Sequence, residues 1–346
     1  MLANKNSNKY KGFGEYIYKM SQTTICEYIW IDGNGGMRSK TRVLGQIRNL
    51  DLIPDWNYDG SSTNQANSEG NTEVLLKPVK VCADPLRKGN SFLVLCETFD
   101  YEGNVLPTNY RNRARKFLNS PPFQEPWFGI EQEYDINFNG ETQPITNGDG
   151  LHYCGVSTNK RERDIVEEHL KACLYAGLGI SGINAEVATR QWEFQIGPCT
   201  GISAADQTYI ARFLLERIAE KHGARICYYP KPTPDANGKG CHINFSTKSM
   251  REYGGIDIIM ACMDKLAANH KAHIEVYGAD NNLRLTGKHE TSSMDVFTYG
   301  KGTRNTSVRI PNQTVKDGYG YFEDRRPAAN VELYQATSKI FETCCL

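Results

Sequence analysis

The sequence has no surplus of either charge. Its 346 residues carry 40 Lys plus Arg against 40 Asp plus Glu, so nothing points to a nucleic-acid or membrane-surface partner. No run approaches the roughly 18–20 apolar residues that span a bilayer. The N-terminal stretch MLANKNSNKYKGFGEY lacks the apolar core of a secretory signal and the arginines of an organelle transit peptide. The eleven cysteines, an odd number, include no CxxC pair. They sit among apolar neighbours, as in VLC at 94–96 and KAC at 171–173, so reduced thiols serving as small core residues are expected, in a cytoplasmic setting. There is also no GxxxxGKS or GxxxxGKT phosphate loop. GLGISG at 177–182 has the GxGxxG spelling of a dinucleotide loop. It follows a helix-like segment and precedes an extended one, the reverse of the order such a loop needs, and is read as a helix stop and turn.

What is present is an ordinary globular composition, 39% hydrophobic and 23% charged. Residues 24–101 read as short strands and turns: CEYIWI (26–31), the turn IDGNGG (31–36), RSKTRVL (38–44) and SFLVLCETFD (91–100). A boundary falls near Pro107, giving an N-terminal extension or helical arm over 1–23, a small mixed-sheet domain over 24–106 and a larger domain over 107–346. TNYRNRARKFL (108–118) opens the helical part, stopped by Pro121-Pro122. Three amphipathic helices follow, at 163–177, 203–223 and 256–270. The first carries Val166, Leu170 and Leu174 as its core stripe, and the second Ile210, Leu214 and Ile218, with Ser203 as cap and Gly223 as stop.

FGIEQEY (128–134) places two glutamates two residues apart. In a strand, alternate residues share a face roughly 6.5–7 Å apart. Glu131 and Glu133 then face one way and Ile130, Gln132 and Tyr134 the other. Alone, the pair is equally well a solvated acidic face. Three further segments repeat the pattern: Gln191, Glu193 and Gln195 oppose Trp192, Phe194 and Ile196; His242, Asn244 and Ser246 oppose Cys241, Ile243 and Phe245; Tyr321, Glu323 and Arg325 align in GYFEDRRP (320–327). Glu186 lies just upstream of the second. If these strands are neighbours, their carboxylates repel one another or take up protons unless cations intervene. A donor set of oxygens with one imidazole favours Mg²⁺ or Mn²⁺. Hard ions beside Arg284, Arg304, Arg309, Arg325 and Arg326 suit phosphoryl transfer.

Six stretches in order then carry a resemblance: WNYDGSST (56–63), PWFGIEQEY (126–134), NAEV to QWEFQIGPC (184–199), NGKGCHINFSTKSMRE (237–252), RLTGKHETS (284–292) and GYFEDRRPAAN (320–330). From about Cys26 to Asn330 the chain resembles eukaryote-type glutamine synthetases. The resemblance implies an α+β fold, with a small β-grasp-like N-terminal domain and a larger catalytic domain whose curved antiparallel sheet is flanked by helices. It implies ATP-dependent ligation of ammonia to glutamate through γ-glutamyl phosphate. Partners would be glutamate, ammonium and ATP, with two or three Mg²⁺ or Mn²⁺ ions per site. Active sites would be shared between subunits of a homo-oligomer, a decamer of two pentameric rings.

Carried over by position, the resemblance assigns one metal to Glu133, Glu186 and Glu193 and another to Glu131, His242 and Glu323. Arg304 and Arg309 would neutralise the transferring phosphate, Arg284 would clamp the substrate carboxylate, and Arg325 would hold the reacting group. Asp59 would be the ammonium-site acid and Glu290 the acid of a closing flap. Trp127, Pro198, Ser246 and Tyr321, with Arg309, match nucleotide contacts. Asn237 and Gly238 match substrate contacts, as does Tyr153. The chain departs from the family pattern at Leu283 and Asn312, where arginine is usual, and in a shortened 141–156 segment. Two alternatives remain: a γ-glutamyl-amine ligase of the same superfamily, expected to remodel Asp59 and Glu290, and a non-catalytic relative, expected to lose metal ligands.

Overall fold

Strand alternation in the sequence becomes two sheets. The computed structural model of the chain describes residues 23–118, 124–141, 143–157 and 159–346. The expected arm over 1–23 lies outside them except for Thr23, as does the Pro121-Pro122 helix stop. The α+β chain divides into two units. One runs to Asn109 and includes Tyr175–Gly177; the other comprises Tyr110–Leu174 and Leu178–Leu346.

In the N-terminal unit, β1 (Thr23–Ile31), β2 (Met37–Gly45), β3 (Trp56–Asp59), β4 (Glu73–Ala83) and β5 (Ser91–Phe99) pair in the order β2-β1-β5-β4-β3. Only β1 and β5 run parallel. Alternation sends Cys26, Tyr28 and Trp30 to one face, where they join Tyr58, Val74, Leu76, Val94 and Cys96 in a core. The IDGNGG turn closes on Asp32, whose carboxylate accepts the N–H groups of Asn34 and Gly36 at 2.8 Å.

The larger unit is built on β6 (Trp127–Phe138), β7 (Ile180–Ala185), β8 (Gln191–Thr200), β9 (Ala224–Cys227), β10 (Cys241–Ser246), β11 (Tyr299–Lys301), β12 (Val308–Ile310) and β13 (Phe322–Asp324). Their order is β11-β12-β13-β10-β6-β8-β7, with β9 also on β6. All pairs are antiparallel except β11 with β12. The helices are α1 (Tyr110–Leu118), α2 (Lys160–Tyr175), α3 (Ser203–Lys221), α4 (Gly255–Ala268), α5 (His270–Ile274), α6 (Asn312–Asp317) and α7 (Leu333–Cys345).

One face of this sheet is the core. Ile130, Tyr134, Phe194, Ile243 and Phe245 are fully buried there, and α3 packs against β6, β8 and β9. Each such side chain contributes about 1.5–3 kcal/mol by leaving water. Gln132, also on this face, is satisfied by Arg212 of α3, whose Nε donates to Gln132 Oε1 at 2.9 Å. With β6 anchored this way, Glu131 and Glu133 are held on the opposite face.

Several local expectations change. Ser203 is the first residue of α3, not its cap; Ile202 stands at the cap position and Ser203 Oγ accepts a hydrogen bond from Gln207. The buried stripe of α2 is Ile165, Val166, His169, Ala172 and Cys173, and Leu174 is 58% exposed. Spacing by four drifts about 80° over eight residues, so a stripe that starts at Val166 leaves the core by Leu174. The third helix breaks at Asn269 into α4 and α5. On β13 the face opposite Glu323 is not purely apolar: fully buried Arg326 pairs with Asp324 at 2.6 Å, so this arginine faces away from the acids. GLGISG is a turn after α2, with Gly177 at φ +74°, leading into β7. Most cysteines are buried, and no disulfide joins them.

Candidate active site

Register, which local sequence does not encode, brings the acids together. Glu131 stands opposite His242 on β10 and Gln195 on β8; Glu133 stands opposite Glu193. Glu323 faces Asn244 on one side and Arg309 on the other. Glu186 follows β7, where its backbone N–H donates to Gln191 O at 2.9 Å. Glu131, Glu133, Glu186, Glu193 and His242 line one cleft of about 230 Å³, with Tyr153, Glu290, Arg304, Arg309 and Arg325 around it.

Two groups of potential ligand atoms lie within 4.8 Å of one another: Glu131, His242 and Glu323; and Glu133, Glu193 and His242. His242 Nδ1 is 3.5 Å from Glu131 Oε2 and 3.4 Å from Glu323 Oε1, and its Nε2 is 3.8 Å from Glu133 Oε1. The second group thus contains His242 where the sequence reading has Glu186, which lies in the same cleft with Oε1 accepting from Asn184 Nδ2 at 2.8 Å.

Burial and mutual charge set the electrostatics of the cleft. Burial pushes Glu186 up to about 8, helped by the charge of Glu133. Burial, then the charges of Glu131, Glu133 and Glu186, push Glu193 well above the usual carboxylate range. Glu133 is raised by burial despite Arg284 nearby. Burial, followed by the charge of Arg325, holds His242 well below its usual value, so it is neutral. Clustered carboxylates that resist ionising and a neutral imidazole fit divalent cations. Cys241 points to the other face, fully buried, so the donor set is oxygen and imidazole, matching Mg²⁺ or Mn²⁺.

Arginines close one side. Glu323 pairs with Arg309 Nε and, at 2.8 Å, with Arg325 Nη1. Arg325 also donates from Nε to Arg304 O at 3.1 Å and from Nη2 to Glu290 O at 3.4 Å. One guanidinium therefore ties two loops to β13. His289 and Glu290 both sit at positive φ, 53° and 60°, a conformation non-glycine residues adopt at a cost.

An apolar cavity of about 560 Å³ adjoins the cleft, since Glu131 and Gln195 line both. Trp127, Pro198, Ser246 and Tyr321 are in its wall. So is Arg251, whose guanidinium stacks 3.9 Å from the Trp127 ring centroid and donates to Ser246 Oγ at 3.0 Å. Such a cavity suits a planar heterocycle.

Comparison with known proteins gives these features a lineage. Residues 118–253 match the family model described as glutamine synthetase, catalytic domain. A Neurospora crassa protein named glutamine synthetase is 52% identical over 332 residues, 92% of this chain and 91% of that protein. This chain belongs to the glutamine synthetase family. An Arabidopsis thaliana relative, glutamine synthetase cytosolic isozyme 1-3, is 50% identical over 335 residues, covering 93% of this chain and 94% of that protein. A solved structure described as a GmaS/ADP complex shares the fold, with TM-score 0.71 at 19% identity over 95% of this chain and 79% of that one.

Within this glutamine synthetase family chain, some sequence-identified residues sit elsewhere than the cleft wall. Arg284 is buried, its Nη2 donating to Arg325 O at 3.0 Å and to His242 Nε2 at 3.1 Å, and its Nη1 to Arg326 O at 3.2 Å. Gly238 reaches the cleft through Gln191, whose Nε2 donates to Gly238 O at 3.1 Å and Glu133 Oε2 at 3.0 Å. Asn237 N–H donates to Asn147 Oδ1 at 2.7 Å. Asp59 belongs to the N-terminal unit, capping a 3-10 turn over Gly60–Thr63. Its carboxylate accepts from Ser61 Oγ at 2.7 Å, Ser62 Oγ at 2.8 Å and Ser61 N–H at 3.1 Å, which lower it to about 2.

Sequence reasoning missed Arg251 and Gly240. Arg251 comes from a turn after β10 and carries no periodic signal. Gly240 has an ordinary φ, yet a Cβ there would lie 2.5 Å from both Arg284 Nη2 and His242 Nε2. Its N–H donates to Glu133 Oε2 at 2.8 Å.

Proposed function

We propose that the chain makes glutamine from glutamate and ammonia with consumption of ATP, at the cleft where the acidic and apolar cavities meet. The adjacency of those cavities, through Glu131 and Gln195, is the observation that carries this reading. The adenine ring would lie against Trp127, with Tyr321, Pro198 and Ser246 around the nucleoside, and its phosphates would run toward the arginine side. Glu131, His242 and Glu323 would hold one divalent ion, and Glu133, Glu186 and Glu193 offer donors for a second; the single lone pair of the neutral imidazole serves one ion only. Bound there, Mg²⁺ or Mn²⁺ would supply charge neutralisation for phosphoryl transfer.

The chain's own residues do the rest. Arg309, Arg304 and Arg325 line the cleft as guanidinium forks matched to the γ-phosphate and to the glutamate side chain. Arg284 and Tyr153, with Asn237 and Gly238, would orient glutamate; the three bonds Arg284 makes use three of the five N–H donors of a guanidinium. A glutamate γ-oxygen attacks the γ-phosphorus and ADP leaves. Ammonia then attacks the acyl carbon and phosphate leaves. γ-Glutamyl phosphate is labile to water, so Glu290, on a loop tied to Arg325, is assigned to closing the site. With a carboxyl near 2, Asp59 suits an anion that gathers ammonium; accepting its proton would require shedding the serine donors.

We place Asp59 in the site of a neighbouring subunit and the assembly as a homo-decamer of two five-membered rings, in the cytoplasm; the Arabidopsis relative carries the word cytosolic in its name. Among the described residues no helix is long and apolar enough to cross a membrane. The test is an assay of purified protein with glutamate, ATP, Mg²⁺ and either ammonia or a series of primary amines, with particle mass measured alongside. Glutamine, ADP and phosphate in equal amounts, preferring ammonia, are expected. Preference for an amine, or no product at all, would overturn the reading.

A further inference from the structure

We propose that four amides, Asn184, Gln191, Gln195 and Asn244, are positioning residues that commit one oxygen of each neighbouring glutamate, so that the other oxygen alone faces the cation. The proposal rests on the reading that these glutamates hold divalent ions. Asn244 Nδ2 donates to Glu131 Oε1 at 2.7 Å, and the other oxygen, Oε2, is the one 3.5 Å from His242 Nδ1. Gln191 Nε2 and Gly240 N–H both donate to Glu133 Oε2, at 3.0 and 2.8 Å, and Oε1 is the one 3.8 Å from His242 Nε2. Asn184 Nδ2 holds Glu186 Oε1 at 2.8 Å. Gln195 Nε2 holds Glu193 Oε1 and also donates to Asn184 Oδ1 at 2.7 Å, linking two amides in series.

The placement follows from register. Gln195 stands opposite Glu131, Asn184 opposite Glu193 and Asn244 opposite Glu323, so amides alternate with acids across the strands. The choice of amide also matters. A lysine or arginine in these places would cancel the carboxylate charge and compete with the ion, whereas an amide orients the group and leaves the charge intact. Gln191 is 2% exposed, and its Oε1 has no partner among the described residues. Its orientation is set by the two bonds from Nε2. One oxygen per carboxylate favours small ions with strict octahedral geometry over Ca²⁺, which has more coordination positions to fill and readily takes a carboxylate bidentately as well as through one oxygen.

The test measures Mn²⁺ and Ca²⁺ binding to substrate-free protein by calorimetry, for wild type, Gln191→Met and Asn184→Leu, with melting in chelator recorded for each. Mn²⁺ affinity should fall about 10–100-fold in each variant, the usual effect of removing an outer partner. Ca²⁺ should fall less, so the ratio of the two shifts toward Ca²⁺. Unchanged Mn²⁺ affinity, or equal losses for both ions with a lowered melting temperature, overturns the proposal. Wild type that binds no Mn²⁺ overturns instead the reading of the cleft as a metal site.

Discussion

Glu131 and His242 face each other across β6 and β10, Oε2 to Nδ1 at 3.5 Å, while the same ring's Nε2 lies 3.8 Å from Glu133 Oε1. One neutral imidazole thus adjoins both halves of the acid cluster. The i, i+2 spacing of Glu131 and Glu133 puts one carboxylate on each side of it. Two like charges that are costly on a buried strand become useful once cations are present.

Glu131→Ala and Glu323→Ala should therefore abolish ATP-dependent glutamine formation, by about two to three orders of magnitude, because several kcal/mol of transition-state charge stabilisation goes with the ion. Glu323 also anchors Arg309 and Arg325, so its loss should be the larger. Product measured at saturating Mg²⁺ checks this, and wild-type rates in either variant would remove that residue from the metal site.

The apolar cavity makes a separate prediction. Stacking of Arg251 on Trp127 at 3.9 Å contributes about 0.5–2 kcal/mol. Trp127→Ala should weaken ATP binding about tenfold, and Arg251→Met by less, with the apparent affinity for glutamate unchanged. Equilibrium titration with ADP reads it. Equal losses for both substrates would mean that the cavity is not where the nucleotide sits.

Much of this was legible beforehand, for a physical reason. A strand's two-residue period reveals which side chains share a face, so Glu131 with Glu133, and Gln191 with Glu193 and Gln195, could be grouped from sequence. Which strands are neighbours depends on long-range pairing, and no local pattern reports that Glu131 meets His242. Burial of the Asp324–Arg326 ion pair, both residues at 0% exposure, is not legible either, because a charged pair that satisfies itself inside the core carries no apolar signal. Gln191, Gln195 and Asn244 were visible on the polar strand faces, Asn184 was not, and the role of all four needs distances. Arg251 and Gly240 depend on a turn and on a steric gap, neither of which has a periodicity to detect.

Stability should depend on pH through a buried histidine remote from the cleft. His273 lies between Tyr277 OH at 2.6 Å and Thr343 Oγ1 at 2.9 Å, and burial, with the charge of Arg326, lowers it to about 3. Unfolded, it binds a proton near 6.5. Between those values the unfolded chain holds more protons, so stability is intact above about 6.5 and falls as the pH drops toward 3. From pH 7.5 to 5 this one group should remove about 2 kcal/mol. His273→Gln should start less stable but show a flatter dependence of melting temperature on pH. A slope identical to wild type would mean that His273 does not drive acid sensitivity.

Asp59→Ala should separate the two half-reactions. Asp59 lies outside the cleft's own unit and is held as an anion near 2 by Ser61 and Ser62. If it gathers ammonium for the second step only, Asp59→Ala should leave ATP-dependent phosphorylation of glutamate within about threefold of wild type while slowing amide formation about 100-fold, the scale of losing one acid–base group. Asp59→Asn keeps oxygen and nitrogen at the turn but loses the charge, so it should match the alanine variant if charge is what matters. The phosphorylated intermediate can be trapped with hydroxylamine while glutamine is followed in parallel. Equal loss of both half-reactions would show that Asp59 supports the fold or the assembly and not ammonia capture. Activity in mixed oligomers, made by combining Asp59→Ala chains with Glu131→Ala chains, distinguishes further: a site built from two subunits regains some activity because some interfaces unite an intact Asp59 with an intact Glu131. A site built within one chain regains none.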